Sequence, residues 1–200
     1  MMKTFSLLLA VVLSISILLG CSDKEPVPLA TEDEIPATPS KSVISSKTYT
    51  NTEYSFSVEY PVDWDLNENL STEERQAGRI VIFSGSQVAE NDRRVRIIIE
   101  ADKWSKDATV EQYATAVEMQ VLKKNLSDYI NLHERTTTID EIPAIVRTFT
   151  ATIDGLMQKD VQAYFTKDDF AYVITYDVTT EYYDTYVDCF ELAINTFKFE

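Results

Sequence analysis

The sequence is poor in the residues that metal sites and many enzymes depend on. It contains one histidine, two cysteines and four glycines among 200 residues. A zinc site needs clustered His and Cys ligands, and a phosphate-binding loop needs several closely spaced glycines. We therefore expect no metal and no cofactor, and two cysteines give no disulfide framework. A Ser-His-Asp triad is disfavoured because no Gly-x-Ser-x-Gly motif occurs, although triad members need not be adjacent.

Positive charge is scarce as well. Eighteen Lys and Arg residues face 33 Asp and Glu residues, so the formal net charge is -15. Binding to nucleic acid requires basic side chains for the phosphates, and this composition argues against such a partner. Hydrophobic residues make up 44% of the chain and charged residues 26%, so a chain of this length can bury one domain core.

The first twenty residues are typical of a signal peptide. Residues 5–19 are almost wholly apolar and follow Lys3, a run too short for a convincing membrane-spanning helix. Its end, Leu18-Leu19-Gly20-Cys21, resembles the lipobox of prokaryotic lipoproteins, although Leu19 stands where a smaller residue is commoner. We predict a lipoprotein signal peptide over 1–20 and lipidation of Cys21, with palmitate or a similar acyl chain. An uncleaved anchor and an ordinary secretory signal are the alternatives.

Lipid on Cys21 predicts a location at the outward-facing surface of the cell membrane, since each buried methylene contributes about 0.8 kcal/mol. Residues 21–46 are rich in Pro, Ser, Thr and acid and have no apolar periodicity. This composition predicts a disordered tether between the membrane and a folded domain at 47–200.

The folded part opens on an alternating stretch. Tyr54, Phe56, Val58 and Tyr60 alternate with polar residues, which is typical of a half-buried strand, and Pro61 ends the ladder. We predict that these aromatic residues and Trp64, one turn later, are core and corner residues. The remaining pattern predicts further strands around two helices.

Local signals place those helices and the sharpest turn. The first helix is predicted at 109–125, with Thr109 and Gln112 as a capping box, and the second at 181–195, capped by Thr179 or Thr180. The apolar stripe of the first helix is Val110, Tyr113, Ala114, Val117, Val121 and Leu122. Asp154-Gly155 predicts a hairpin, and residues 170–178 a central strand covered on both faces. Hairpins with few helices indicate an α+β fold with an antiparallel sheet.

Both ends of the domain resemble one family. Tyr54-Ser-Phe-Ser-Val-Glu-Tyr-Pro-Val-Asp-Trp64 resembles the opening of PsbP-like proteins, and Asn195-Thr-Phe-Lys-Phe199 is similar to that family's closing strand. The resemblance implies an antiparallel β-sheet sandwiched by α-helices, a PsbP-like α/β/α sandwich shared with the Mog protein. Its motifs are structural, so it implies no catalytic, cofactor-binding or metal-binding residue.

Few side chains remain as candidates for chemistry. His133 stands beside Glu134, but neighbours on a strand face opposite ways, so we interpret His133 as an exposed strand residue. Cys189 lies on the apolar stripe of the last helix and is predicted to be a buried thiol. Four acid pairs, interpreted as turn formers, leave calcium binding open. They are Asp63/Asp65, Glu90/Asp92, Asp140/Glu141 and Asp168/Asp169.

Three functions are consistent with this sequence. The first is a membrane-anchored, non-enzymatic binding or assembly module with a protein partner in the envelope. The second is a carrier of a small ligand or lipid in a gap between the sheet and the helix at 109–125. The third is an envelope hydrolase working through two close carboxylates. We favour the first, since no catalytic constellation is visible.

Overall fold

The computed structural model describes residues 44–89 and 93–200, which fold into ten strands and four α-helices. Cys21, the signal peptide and most of the tether lie outside these residues. The strands are β1 (Ser46–Asn51), β2 (Phe56–Pro61), β3 (Asp65–Asn67), β4 (Arg79–Gln87), β5 (Arg94–Lys103), β6 (Ser127–Ile139), β7 (Ile142–Ile153), β8 (Leu156–Lys167), β9 (Phe170–Asp177) and β10 (Lys198–Phe199). The helices are α1 (Thr72–Gln76), α2 (Val110–Val117), α3 (Lys123–Asn125) and α4 (Tyr183–Thr196).

All strand pairs are antiparallel, and they form two sheets. The large sheet has the order β3-β4-β5-β9-β8-β7-β6, and the small sheet has the order β1-β2-β10. Strand β9 is the middle strand of the large sheet, which confirms the prediction of a central strand. The α+β class with an antiparallel sheet between helical layers is confirmed.

The main core lies between the large sheet on one side and α4 with the small sheet on the other. Phe56, Val58 and Tyr60 of β2 are buried there, with Phe190 of α4 and Phe197 after it. Phe56 stacks on Phe197 at a ring distance of 4.9 Å, which joins the middle strand of the small sheet to the end of α4. The predicted alternation of β2 is therefore confirmed from Phe56 onward.

The opposite face of the large sheet is covered by α2 and the turn that follows it. Thr109 and Gln112 form the predicted capping box, and Tyr113 and Ala114 pack on Tyr164 and other sheet residues. After α2 the chain forms one π-helical turn, Glu118–Leu122, before α3. The wider π turn rotates the apolar stripe. Val121, predicted to be on that stripe, is therefore 48% exposed, and its assignment to the core was wrong.

Arg147 of β7 links α2 to the large sheet through hydrogen bonds. Its side chain is 3% exposed and donates through Nη1 to the Ala114 carbonyl at 2.9 Å and through Nη2 to Glu134 at 2.7 Å. The guanidinium also lies over the Tyr164 ring, 5.4 Å from its centroid. A buried cation with these contacts fixes the position of α2.

Two-residue turns set the register of the last four strands of the large sheet. Asp154 and Gly155 have φ values of 52° and 79° between the paired residues Ile153 and Leu156, which confirms the predicted hairpin.

The cap predicted for the last helix was wrong. Thr179 makes no side-chain capping bond, and a 3₁₀ turn at Thr180–Tyr182 leads into α4 instead. No helix within residues 44–89 and 93–200 is long and apolar enough to cross a membrane.

Candidate functional site

One cavity lies at the end of the large sheet where β9 begins. It has a volume of about 630 Å³, and four aromatic residues form much of its wall. They are Tyr54, Phe170, Tyr172 and Phe199. The Tyr54 and Phe170 rings meet edge to face with centroids 5.7 Å apart. Tyr54 was predicted only as a core residue, but it lies in the turn before β2 and contributes to both the core and this cavity.

Two further cavities adjoin the first. One shares Glu53 and Tyr54 with it and has a volume of about 280 Å³. The other shares Lys103 and Phe170, reaches Trp104 and has a volume of about 580 Å³. Together they form a groove, here called the aromatic groove, defined by the linings of these three cavities.

Charged side chains of both signs surround the aromatic groove. Lys167 places its Nζ 3.9 Å from the centroid of the Phe199 ring, and Lys103 is exposed beside it. Glu53, Asp168 and Glu200 line the same cavity. Lys103, Lys167, Glu53 and Asp168 form no ion pair within the described residues and can hydrogen-bond a ligand. Arg79, in the smallest of the three cavities, is paired with Glu74 and Glu100.

The second candidate surface is the free edge of the large sheet. Strand β6 is 13 residues long, pairs only with β7 among the described strands, and exposes nine of its residues. An unpaired strand edge carries a row of backbone N–H and C=O groups that can pair with another chain. Bulges between Ser127 and Ile130 and between Asn131 and His133 interrupt this edge, which is one way in which proteins limit such pairing.

Apolar side chains accompany this edge. Ile130 and Leu132 on β6 are 58% and 50% exposed, and Met119 in the π turn is 58% exposed. The π turn contacts the strand, since the Tyr129 hydroxyl donates to the Glu118 carboxylate at 3.5 Å. Exposed apolar groups next to an unpaired edge are typical of a protein-binding surface.

A buried pair of acids lies in the middle of the large sheet. Asp160 of β8 and Asp177 of β9 stand opposite each other in the strand register, between the pairs Val161–Tyr176 and Gln158–Thr179. They are 4% and 5% exposed. No pattern in the sequence had marked either residue as a candidate.

The two carboxyl groups have different partners. Asp177 accepts hydrogen bonds from Arg96, whose Nε is 2.9 Å away, and from Arg93, whose Nη2 is 2.6 Å away. Asp160 accepts one weak bond from the Val178 N–H at 3.3 Å. Burial, followed by the charge of Asp177, raises the pKa of Asp160 well above its usual range. Asp177 is therefore the partner of both arginines, and burial and repulsion disfavour the charged form of Asp160.

The carboxylate chemistry expected of a hydrolase needs access to a substrate. Neither Asp160 nor Asp177 lines the three cavities of the aromatic groove or a fourth cavity of about 580 Å³ between Val88 and Tyr182. The carrier hypothesis required a gap beside α2, but Val110, Tyr113 and Ala114 are all buried against the sheet. None of these four cavities is lined by α2, so they offer no support for that gap.

The residues singled out in the sequence lie apart. His133 is on the exposed β6 edge, opposite Thr148, while Glu134 is opposite Arg147. Cys189 is 8% exposed, and burial raises the pKa of its thiol to about 11. Over residues 44–89 and 93–200 no three His, Cys, Asp or Glu side chains are grouped to hold a metal. Glu90 and Asp92 lie outside that range, and so does Cys21, whose lipidation stays a prediction.

Comparison with known protein families accounts for this fold. The sequence profile described as PsbP-like protein matches residues 5–199. The chain belongs to the PsbP-like protein family. The resemblance seen at the two ends of the domain is thereby confirmed. Curated proteins gave no match to this PsbP-like chain.

Solved structures agree with that assignment. The PsbP-like chain is similar to the cyanobacterial PsbP protein CyanoP from Synechocystis sp. PCC 6803, with a TM-score of 0.55 and 12% identity over 83% of this chain and 99% of that chain. It is also similar to LpqN of Mycobacterium tuberculosis, with a TM-score of 0.58 and 13% identity over 77% of this chain and 90% of that chain. At such identities the likeness concerns the fold.

Proposed function

We propose that this PsbP-like protein is a non-enzymatic binding module of the cell envelope. Lipid on Cys21 holds it at the outward face of a membrane, and the β6 edge binds an extended segment of an envelope protein. The solved relative LpqN is described as involved in cell envelope biogenesis, which supports the same compartment. The exposed, unpaired β6 edge is the observation that carries the proposal.

The chemistry of this edge favours a strand added by a protein partner. Main-chain hydrogen bonds supply affinity in such pairing, and side chains on alternate residues supply specificity. Ile130 and Leu132, which lie at the two register shifts, offer apolar contacts, and Glu134 and Arg135 follow where the pairing with β7 is regular. The bulges limit regular pairing to part of the edge, which protects the isolated protein from indiscriminate sheet growth.

Site-specific crosslinking tests the partner surface. A photo-crosslinking amino acid at position 132 should give one discrete adduct in intact cells, identifiable by mass spectrometry. The same amino acid at position 157 is the matched control, because Leu132 and Met157 are both 50% exposed. Ile130→Lys should abolish the adduct, since lysine on an edge strand opposes pairing. Equal adducts at both positions, or none at position 132, would contradict the proposal.

The anchor is tested separately. Cys21→Ser should release the protein from the membrane fraction into the soluble envelope fraction, because the acyl chains can no longer be attached. Retention of this variant in the membrane would show that another segment holds the protein there.

A further inference from the structure

We propose that the aromatic groove is a binding site for a neutral oligosaccharide. This site is separate from the β6 edge and takes a different class of ligand. Three features support this assignment. They are the aromatic wall, the rim side chains of Lys103, Lys167, Glu53 and Asp168, and backbone N–H groups that are already hydrogen-bonded within the protein.

The wall suits the faces of sugar rings. Tyr54 and Phe170 are partly exposed at the groove, Lys167 lies over the Phe199 ring, and the Tyr172 ring is 5.1 Å from that of Phe199. An aromatic face carries partial negative charge and attracts the polarised C–H bonds of a sugar ring. The contact needs no charge on the ligand.

The rim suits hydroxyl groups. Carboxylates such as Glu53 and Asp168 accept hydrogen bonds from sugar hydroxyls, and the ammonium groups of Lys103 and Lys167 donate to them. Acids outnumber lysines around the main cavity, and the whole chain has a net charge of -15. A polyanionic chain is therefore repelled, while a neutral ligand can use both kinds of group.

The main chain of the groove argues against an extended peptide. Peptides that bind as strands need unpaired backbone groups on the receptor. Three backbone donors at the groove are already used: Trp104 N–H bonds the Asp169 carbonyl at 2.8 Å, Ala101 N–H bonds the Gly78 carbonyl at 2.9 Å, and Glu200 N–H bonds the Ser55 carbonyl at 2.9 Å. Recognition therefore falls to side chains, as in a sugar site.

The three adjoining cavities give the groove room for several sugar units. The two larger ones have volumes of about 630 and 580 Å³, within the roughly 300–1,000 Å³ of small-ligand pockets. Their shared residues, Lys103 and Phe170, make the subsites continuous. An oligomer can thus occupy neighbouring subsites and gain affinity from each of them.

The two tryptophans provide an internal readout. Trp104 lines the groove, whereas Trp64 is 4% exposed in the main core. In a titration of the full chain with cellotetraose or chitotetraose, the indole N–H resonance of Trp104 should shift saturably and that of Trp64 should stay in place. Phe170→Ala should weaken binding about tenfold. Leu132→Ala on the β6 edge should leave it unchanged.

Lys103→Ala is the second groove variant, because Lys103 is exposed and its loss does not disturb the core. It should also weaken binding, and its folding is checked by circular dichroism. Tetragalacturonate and a mixed-sequence hexapeptide serve as the anionic and peptide probes. The proposal is overturned if neither neutral sugar binds saturably, if either other probe binds more tightly, or if Trp64 responds instead of Trp104. None of these results bears on the crosslinking experiment at position 132.

Discussion

The buried acid pair predicts that one isosteric substitution will have opposite effects on adjacent strands. Asp177→Asn removes the anion that neutralises Arg93 and Arg96, whose side chains are only 15% and 28% exposed. Breaking a buried ion pair from one side costs about 3–5 kcal/mol. Because both arginines retain some contact with solvent, we expect the lower end, about 3 kcal/mol of unfolding free energy at pH 7.

Asp160→Asn should instead be neutral or stabilising at the same pH. The asparagine Oδ1 still accepts the Val178 N–H, while the cost of ionising a buried carboxyl beside Asp177 disappears. In the wild type the raised pKa of Asp160 contributes stability that is complete below the ordinary Asp value of about 3.9. That contribution is lost as the pH rises through the raised pKa. The stability of Asp160→Asn relative to wild type should therefore rise with pH over this window.

Urea unfolding followed by circular dichroism, at several pH values between about 4 and 8, measures both effects. For a domain of this size, 3 kcal/mol corresponds to a fall of roughly 6–12 °C in melting temperature for Asp177→Asn. Asp107→Asn, at an exposed position, is the matched control and should leave stability unchanged. If the two core variants lost stability equally, or if the difference between Asp160→Asn and wild type did not depend on pH, the inference that burial and Asp177 raise the pKa of Asp160 would be wrong.

Three further predictions concern packing and reactivity. Gly85→Ala should lower the stability measured by calorimetry several-fold more than Gly155→Ala, because a Cβ at Gly85 would lie 2.5 Å from the Trp64 ring. Gly155 has open space around it, so alanine there is opposed only by the φ of 79°, at a cost of about 1–2 kcal/mol. Alkylation of Cys189 at pH 8 should be very slow in the native protein and fast in urea, since a thiol pKa of about 11 leaves roughly one molecule in a thousand as thiolate. Arg147→Met should lower the melting temperature less than Arg147→Ala, because methionine refills the space over Tyr164, and equal losses would indicate that charge alone decides.

Local signals in the sequence were enough for most individual elements. The alternation from Phe56, the capping box at Thr109 and the Asp154-Gly155 turn each describe neighbours in the chain, and each is observed. Errors arose where a local signal competes with a non-local one. Val121 follows the helical stripe, but a π turn rotates it outward, and Thr179 is drawn into a bridge with Gln158 and does not cap the helix.

The candidate sites depended on strand order, which local patterns do not encode. The two-residue turn at Asp168-Asp169 fixes the register of β8 against β9 and so sets Asp160 opposite Asp177. The pairing of these two acids could therefore have been predicted from the sequence. Arg96, which binds Asp177, belongs to β5, and it reaches Asp177 only because β9 is inserted between β5 and β8. Likewise, β6 becomes a free edge only because that insertion places it outermost.

The position of β9 also constrains how the chain reaches its fold. Strand β5 (Arg94–Lys103) pairs with β9 (Phe170–Asp177), which lies about 70 positions later in the chain. The two halves of the large sheet can join only after this pairing forms. The pairing of β2 with β10 spans about 140 positions. Contacts of such high sequence separation slow folding, because loop closure is required before any contact is gained. A chain that emerges from its N-terminus therefore exposes the β4–β5 hairpin, with Val81, Ile97 and Ile99, as an unfinished sheet, and this intermediate is the stage at which aggregation or a folding helper would act.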